Sequence, residues 1–388
     1  MLTDISDRFP LVELASAHAS ISSERARLAA LGTTGLSPLT LRVGQAAVTL
    51  VPGEIVMVRD GVDPSATCVV DFADERAFAD FWHEIRTVVG AQLSETISYE
   101  RGSFVEFQAW EPALRALYSG RRVYDPAMVG EDDLTRVFRW GSDDVADIGA
   151  FTREHGFAVV TGVFDESEIA ECNAEVDRIE RAAAPDQPGS WWTTAEDGTA
   201  LACQLHYTAM QSERLALLVS DPRVRALVDA FDPTLVSHSD RMNGDFAVLK
   251  RPGATSGITD LPWHIDCGLG GHGLMCPGLH IGVQLSASNH DVGAFQILAD
   301  SHNASVRQDH VDLDSWPVVT VDAMPGDVTL HVPHAMHAAP APRDSGPGRR
   351  TLYLGFSSQE AHDVIGPGRS FDDLLSAASD DGHVGFDY

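Results

Sequence analysis

The sequence predicts an α+β protein: an N-terminal α+β domain over residues 1–125, then a jelly-roll barrel with flanking helices over 126–388. Three observations predict it. Helical and strand-like apolar periods alternate through the first 120 residues or so. A charged stretch at 121–145 without a clean period separates them from the rest. From Asp245 to Phe356 short strand-like runs are joined by loops, the pattern of a cupin-like double-stranded β-helix.

The elements follow in order. Residues 8–31 carry Leu11, Leu14, Ala15, His18 and Ile21 at helical spacing and stop at Gly32. LTLRV, AAVTLV, EIVMVRDG and ATCVVDF read as a strand meander punctuated by Gly and Pro. A helix over 74–89 places Phe78, Phe81, Trp82, Ile85 and Val89 on one stripe. ISYERG and SFVEFQAW read as a strand pair, and EPALRALYSG as a short helix opened by Pro112 and closed by Gly120. This order of elements resembles a sterol-carrier-type domain, with no catalytic motif in it. Beyond the charged stretch, a helix leads to Gly156 and a buried strand (Phe157, Val159, Val160), and Asp165 or Ser167 caps the next helix. Residues 185–200, around Trp191 and Trp192, read as a loop, and Asp221-Pro222 opens a short helix.

Composition narrows the function. A net charge of −30 repels nucleic acid, and the bland consequence is solubility. The expected partner is a small-molecule substrate, and the sequence leaves the oligomeric state open. Cys68, Cys172, Cys203, Cys267 and Cys276 are odd in number and form no Cys-x-x-Cys pair, which argues against a disulfide framework or a zinc knuckle. The first twenty residues lack a basic segment followed by an apolar one, and no apolar run approaches the ~18 residues of a membrane span. The expected location is the cytoplasm.

The chemistry is carried by Trp263-His264-Ile265-Asp266, with His337 and Arg349 far behind it. Two histidines and a carboxylate can occupy one face of an octahedral Fe(II) and leave the other positions open. In a strand, residues two apart share a face, so His264 and Asp266 can reach one metal. His331, His334 and His337 could each supply the third ligand; His337, beyond a strand and near the barrel mouth, is preferred on position. Arginine is the natural clamp for a carboxylate because its fork donates two parallel hydrogen bonds. Arg349 is favoured over Arg350 because strand alternation puts Thr351, with its hydroxyl, on the face of Arg349.

Residues 142–356 resemble the phytanoyl-CoA dioxygenase-like branch of the Fe(II)/2-oxoglutarate-dependent oxygenases. The matching pieces are EHGFAVVTGVFDESEI, LPWHID, VGAFQILADSHNAS and GDVTLHVPHAMHAA, with Arg349 twelve residues beyond His337. The resemblance implies that His264, Asp266 and His337 bind Fe(II), and that Arg349 with Thr351 binds the distal carboxylate of 2-oxoglutarate. Dioxygen would then be the co-reactant, succinate and CO2 would be released, and an unactivated C–H bond would be hydroxylated. Lys250 and Gln284 are candidates to contact the cosubstrate, and His302 is expected to brace its own turn. The carboxylate of Asp266 disfavours halogenation, because related halogenases have a small residue there. Ala299-Asp300 replaces the family's usual Pro-Gly, Ala338-Ala339 its Gly-Ser, and APRDSGPG the segment that often carries an Asn before the arginine. These departures leave the substrate open. Two alternatives stand beside the oxygenase: a non-catalytic small-molecule or lipid binder with a degenerate barrel, and a zinc cupin enzyme. Trp191, Trp192 and the Gly268–Gly273 loop are candidates for a lid or pocket.

Overall fold

The computed structural model describes residues 9–130, 133–185, 189–237, 239–240, 244–254, 259–266, 278–343 and 346–359. The N-terminal unit holds α1 (Leu14–Ala19), α2 (Ser23–Ala30), β1 (Leu39–Val43), β2 (Ala46–Val51), β3 (Met57–Asp60), β4 (Cys68–Phe72), α3 (Glu75–Trp82), α4 (Val88–Leu93), β5 (Ile97–Arg101), α5 (Phe104–Ser119) and β6 (Arg122–Val123). Its five-stranded sheet runs β3-β2-β1-β4-β5, with β1 and β4 parallel and the other pairs antiparallel. Leu39, Leu41, Val70, Phe72, Phe78, Phe81, Phe107 and Trp110 pack in one apolar core between sheet and helices.

Three expectations here are revised. The helix read over 8–31 is broken into α1 and α2, because Ser22 adopts an extended backbone and its side chain caps Arg25 N–H. The helix read over 74–89 ends at Trp82, and Glu84 takes a left-handed φ of 60° before Thr87 caps α4. SFVEFQAW is no strand: Ser103 caps Glu106, and the segment forms the first half of α5, which carries Pro112 in its interior rather than at its start.

The second unit continues with β7 (Phe138–Arg139), α6 (Val145–His155), β8 (Phe157–Thr161), α7 (Glu166–Ala182), β9 (Ser190–Thr194), β10 (Ala200–His206), α8 (Thr208–Gln211), α9 (Glu213–Val219), α10 (Pro222–Phe231), β11 (Leu235–Ser237) and β12 (Asp245–Lys250). Then come β13 (Leu261–His264), β14 (Gly278–Gln284), β15 (Gln296–Leu298), β16 (Ala304–Ser305), β17 (Val318–Thr320), β18 (Val328–His331), β19 (His337–Ala339) and β20 (Arg349–Ser358). The large sheet runs β7-β8-β18-β14-β20-β12-β10-β9, with β11 also on β20, and the small sheet runs β13-β19-β15-β17. Apart from the β7–β8 pair, both are antiparallel, the two walls of a jelly roll. Asp165 and Glu168 form a reciprocal capping box at the start of α7, and Asp221 caps α10 ahead of Pro222. Residues 190–194, read as loop, are the outer strand β9, and Trp191 is buried edge-on against His206.

Apolar residues from Phe138 to Phe356 form a second core, distinct from the first. The units meet where β6 pairs in parallel with β16 and where Tyr124 O–H donates to the Ala299 carbonyl at 2.8 Å. Among the described residues no helix is long and apolar enough to cross a membrane. Cys68, Cys172 and Cys203 are buried and form no disulfide, while Cys267, Cys276 and the Gly268–Gly273 loop lie outside the described residues.

Candidate functional site

The small sheet sets two histidines side by side. In the β13–β19 pair, His264 lies directly opposite His337, and their ring centres are 4.2 Å apart. Asp266 joins them by a different route from the one expected. The strand ends at His264, and Asp266 sits in a bend fixed by its N–H donating to the Pro333 carbonyl at 3.0 Å. Chain turning, rather than strand alternation, brings the carboxylate round. One potential ligand atom from each of His264, Asp266 and His337 falls within 4.8 Å of the others.

The backbone selects the tautomer of both rings. His264 Nδ1 is 2.7 Å from the Pro262 carbonyl and His337 Nδ1 is 2.8 Å from the Ala335 carbonyl. A carbonyl only accepts, so each Nδ1 carries the proton and each Nε2 presents a lone pair. Those Nε2 atoms stand 3.4 and 3.6 Å from Asp266 Oδ1. Two imidazoles oriented by backbone carbonyls, with one carboxylate oxygen, are a donor set suited to a divalent transition metal.

The sequence reading missed one residue of this centre. His280 on β14 pairs in register with His331 on β18, and both face the other carboxylate oxygen, Asp266 Oδ2, at 3.5 and 3.9 Å. Asp266, His280 and His331 therefore form a second group with ligand spacing. The groups differ in preparation: His331 Nδ1 is buried with no hydrogen-bond partner among the described residues, so no backbone acceptor fixes its tautomer. Only the β14–β18 register could have signalled His280, and a single histidine in an apolar strand carries no motif.

Electrostatics keep the cluster in ligand form. Burial opposes the charge of Asp266, but His337, His264, His331 and His280 outweigh it and hold its carboxyl well below the usual range. Burial and then the neighbouring His264 push His337 down to about 3, and burial with His331 lowers His280 to about 4. At neutral pH Asp266 is a carboxylate, and His337 and His280 are neutral imidazoles.

Arg349 opens β20 and is 2% exposed. Its Nε donates to the Gly293 carbonyl at 3.1 Å, and another guanidinium nitrogen to Thr351 Oγ1 at 2.8 Å. Thr351 donates onward to Gln284 Oε1 at 3.0 Å. No carboxylate lies within ion-pair distance of Arg349 among the described residues, so this buried cation is ready for an external anion. Lys250, opposite Arg349 in the β12–β20 register, donates to the carbonyls of Thr259 and Ala339. Burial, and then Arg349, hold its ammonium well below the ordinary lysine range. Arg350 turns the other way, onto Asp177 and Glu180 of α7.

His334 is buried and lines a cavity of about 120 Å³ that also touches His264, Ile265 and Met336. Trp191 and Trp192 do not line it. His302 Nε2 lies 3.0 Å from the Arg153 carbonyl, bracing the turn after β15 and away from the metal-type cluster.

Comparison with known proteins follows this geometry. The family model for phytanoyl-CoA dioxygenase (PhyH) matches residues 152–351, half of the chain. No curated protein matches the sequence. Among solved structures the chain is similar to AviO1 from Streptomyces viridochromogenes Tue57, at 22% identity over 56% of this chain and 96% of that one, with a TM-score of 0.45. It is similar to EctD from S. alaskensis with bound Fe, at 18% identity over 64% and 86% with a TM-score of 0.47. It is also similar to the non-heme alpha ketoglutarate dependent epimerase SnoN from nogalamycin biosynthesis, at 21% identity over 55% and 80% with a TM-score of 0.41.

Proposed function

The chain belongs to the phytanoyl-CoA dioxygenase family, and we propose on that premise that it is an Fe(II)- and 2-oxoglutarate-dependent oxygenase that hydroxylates a C–H bond of a small molecule. The observation that carries this reading is a pairing: a carbonyl-oriented His-Asp-His face lies in the same barrel as a buried arginine that no described carboxylate neutralises.

In this reading His264 Nε2, Asp266 Oδ1 and His337 Nε2 hold the metal, and Arg349 holds the distal carboxylate of 2-oxoglutarate together with the Thr351 hydroxyl, whose single proton turns from Gln284 Oε1 to the carboxylate. The bound iron and cosubstrate supply the oxidising chemistry, consuming O2 and releasing succinate and CO2. The chain's residues do the rest. Thr351 and Gln284 orient the guanidinium, because their hydroxyl and amide relay occupies one edge of it. Lys250, disfavoured as a second cation, donates to the Thr259 and Ala339 carbonyls and so ties β12 to the strands beside Arg349. Ile265, Met336 and Val306 wall the cavity beside His264 and exclude water from the reacting face.

The deciding experiment is anaerobic titration of metal-free protein with Fe(II) and 2-oxoglutarate. A weak visible charge-transfer band that saturates with both is expected, followed by O2-dependent succinate release with a responsive compound from a panel. Fully loaded iron without that band would sink the reading, as would zinc-dependent turnover that never needs 2-oxoglutarate.

A further inference from the structure

The cavity beside His264 is not walled by the barrel alone. Its opposite side is made of α5 and the start of α4: Val105, Gln108, Ala109, Pro112 and Arg115, with Thr87 and Val89. The wall is fixed to the barrel. Gln108 Nε2 donates to Gln308 Oε1 at 2.9 Å, Arg307 donates to the Thr34 carbonyl at 3.1 Å, and β6 pairs with β16 alongside.

One feature of this wall fits a ligand. Arg115 is 1% exposed and lines the cavity, and its Nε–H has no acceptor among the described residues. Pro112, inside α5, also lines it. The charges around the cavity are already matched within the protein. Arg115 pairs with Glu111 at 2.8 Å, Arg121 with Glu84 at 2.5 Å, and Asp309 with Arg307 at 2.5 Å. The cavity thus offers apolar surface and hydrogen-bonding capacity without a spare charge.

The geometry points to a composite substrate pocket, in which α5 of the N-terminal unit forms one wall and Gln108 and Arg115 select an uncharged, largely apolar small molecule bearing an acceptor oxygen. The inference rests on the oxygenase reading only in calling the occupant a substrate. The N-terminal unit then acts in specificity rather than as a passive appendage.

The test uses the full chain and the neutral fluorescent ketone Prodan, with the anionic naphthalene dye ANS as comparator. Prodan should bind saturably with a blue-shifted emission, and Mn(II) in the metal centre should broaden its proton resonances. ANS should bind at least about tenfold more weakly. Ala109→Trp, which fills the wall, should weaken Prodan by at least about tenfold while the Fe(II)–2-oxoglutarate band is kept. Should that variant not fold, Gln108→Ala carries the test, with an expected weakening of about threefold to tenfold for one lost hydrogen-bonding side chain. Absence of saturable Prodan binding, equal ANS affinity, unchanged Prodan affinity in the folded variant, or absence of broadening in protein shown to hold Mn(II) would each overturn the proposal. A missing charge-transfer band in the wild type with intact Prodan behaviour would remove the oxygenase reading and leave the pocket standing.

Discussion

Replacing Arg349 by methionine separates the clamp from the scaffold. In the ligand-free protein the guanidinium is buried with a carbonyl and a hydroxyl as its hydrogen-bond acceptors. Removing a buried charge that lacks a carboxylate is expected to leave stability within about 1 kcal/mol or to raise it. The bound cosubstrate would lose up to two charge-assisted hydrogen bonds, each about 1.5–3 kcal/mol. With the Thr351 hydroxyl retained, a net loss of about 3 kcal/mol is expected, or roughly a hundredfold in Kd. Thermal unfolding reads both effects together. At a 2-oxoglutarate concentration a hundred times the wild-type Kd, Mn(II)-loaded wild type gains ~2.7 kcal/mol, whereas a variant bound a hundredfold more weakly gains about 0.4 kcal/mol. Arg350→Ala, which loses partners on α7 instead, should keep the full ligand-induced shift. A full shift in Arg349→Met, or its loss in Arg350→Ala, refutes the assignment of the clamp.

Gly293 has φ +72°, and a Cβ there would lie 2.3 Å from the Pro340 carbonyl oxygen; Gly293→Ala should displace the carbonyl that Arg349 Nε uses and raise the KM for 2-oxoglutarate, and an unchanged KM would free the clamp from that contact. Asp266→Ala should abolish both iron retention and 2-oxoglutarate-dependent turnover, measured by metal analysis and succinate release. His331→Phe should cost only the roughly 10–100-fold in metal affinity typical of an outer partner; if it matches Asp266→Ala, the metal belongs to the group containing His280 and His331. His18 is 2% exposed, and burial, opposed by the Leu14 carbonyl, pushes it down to about 4. The unfolded chain takes up its proton near pH 6.5, so this contribution is whole above that pH and is lost as pH falls toward 4, by about 3 kcal/mol in all. Urea unfolding of wild type and His18→Phe across that window should show the wild type losing more stability, and parallel profiles would dismiss His18 as the cause.

The elements that were legible are those whose local signals agree with the tertiary environment. The meander β1–β4 has alternating apolar residues bounded by glycine turns, and α7 has both a cap and a stripe of Ile169, Cys172, Val176 and Ile179. The failures occur where two periods compete. In SFVEFQAW, Phe104, Phe107 and Trp110 lie three apart while Val105 and Phe107 alternate, and Pro112 suggests a helix start. Ser103 settles the matter by capping the helix earlier, and Pro112 lies inside α5, where it lines the cavity. The division of 8–31 into two helices turned on a single capping serine, Ser22, placed among residues that otherwise keep helical spacing.

The candidate centre was legible to the extent that it follows chain order. His264, Asp266, His337, Arg349 and Thr351 lie in motifs, whereas His280 is recruited by register across the large sheet. That register matters to the chemistry, because it divides Asp266 between two environments. Oδ1 looks to the oriented Nε2 atoms of His264 and His337, and Oδ2 looks to His280 and His331. A carboxylate engaged from behind on one oxygen is disposed to offer a metal the other alone. A single-oxygen carboxylate ligand leaves one more coordination position open than a chelating one, which is what a centre that must also receive a bidentate cosubstrate and O2 requires. If His264, Asp266 and His337 hold the metal as proposed, the second histidine pair would support Asp266 through Oδ2 and leave Oδ1 to the ion, a role that no spacing rule along the chain could have displayed.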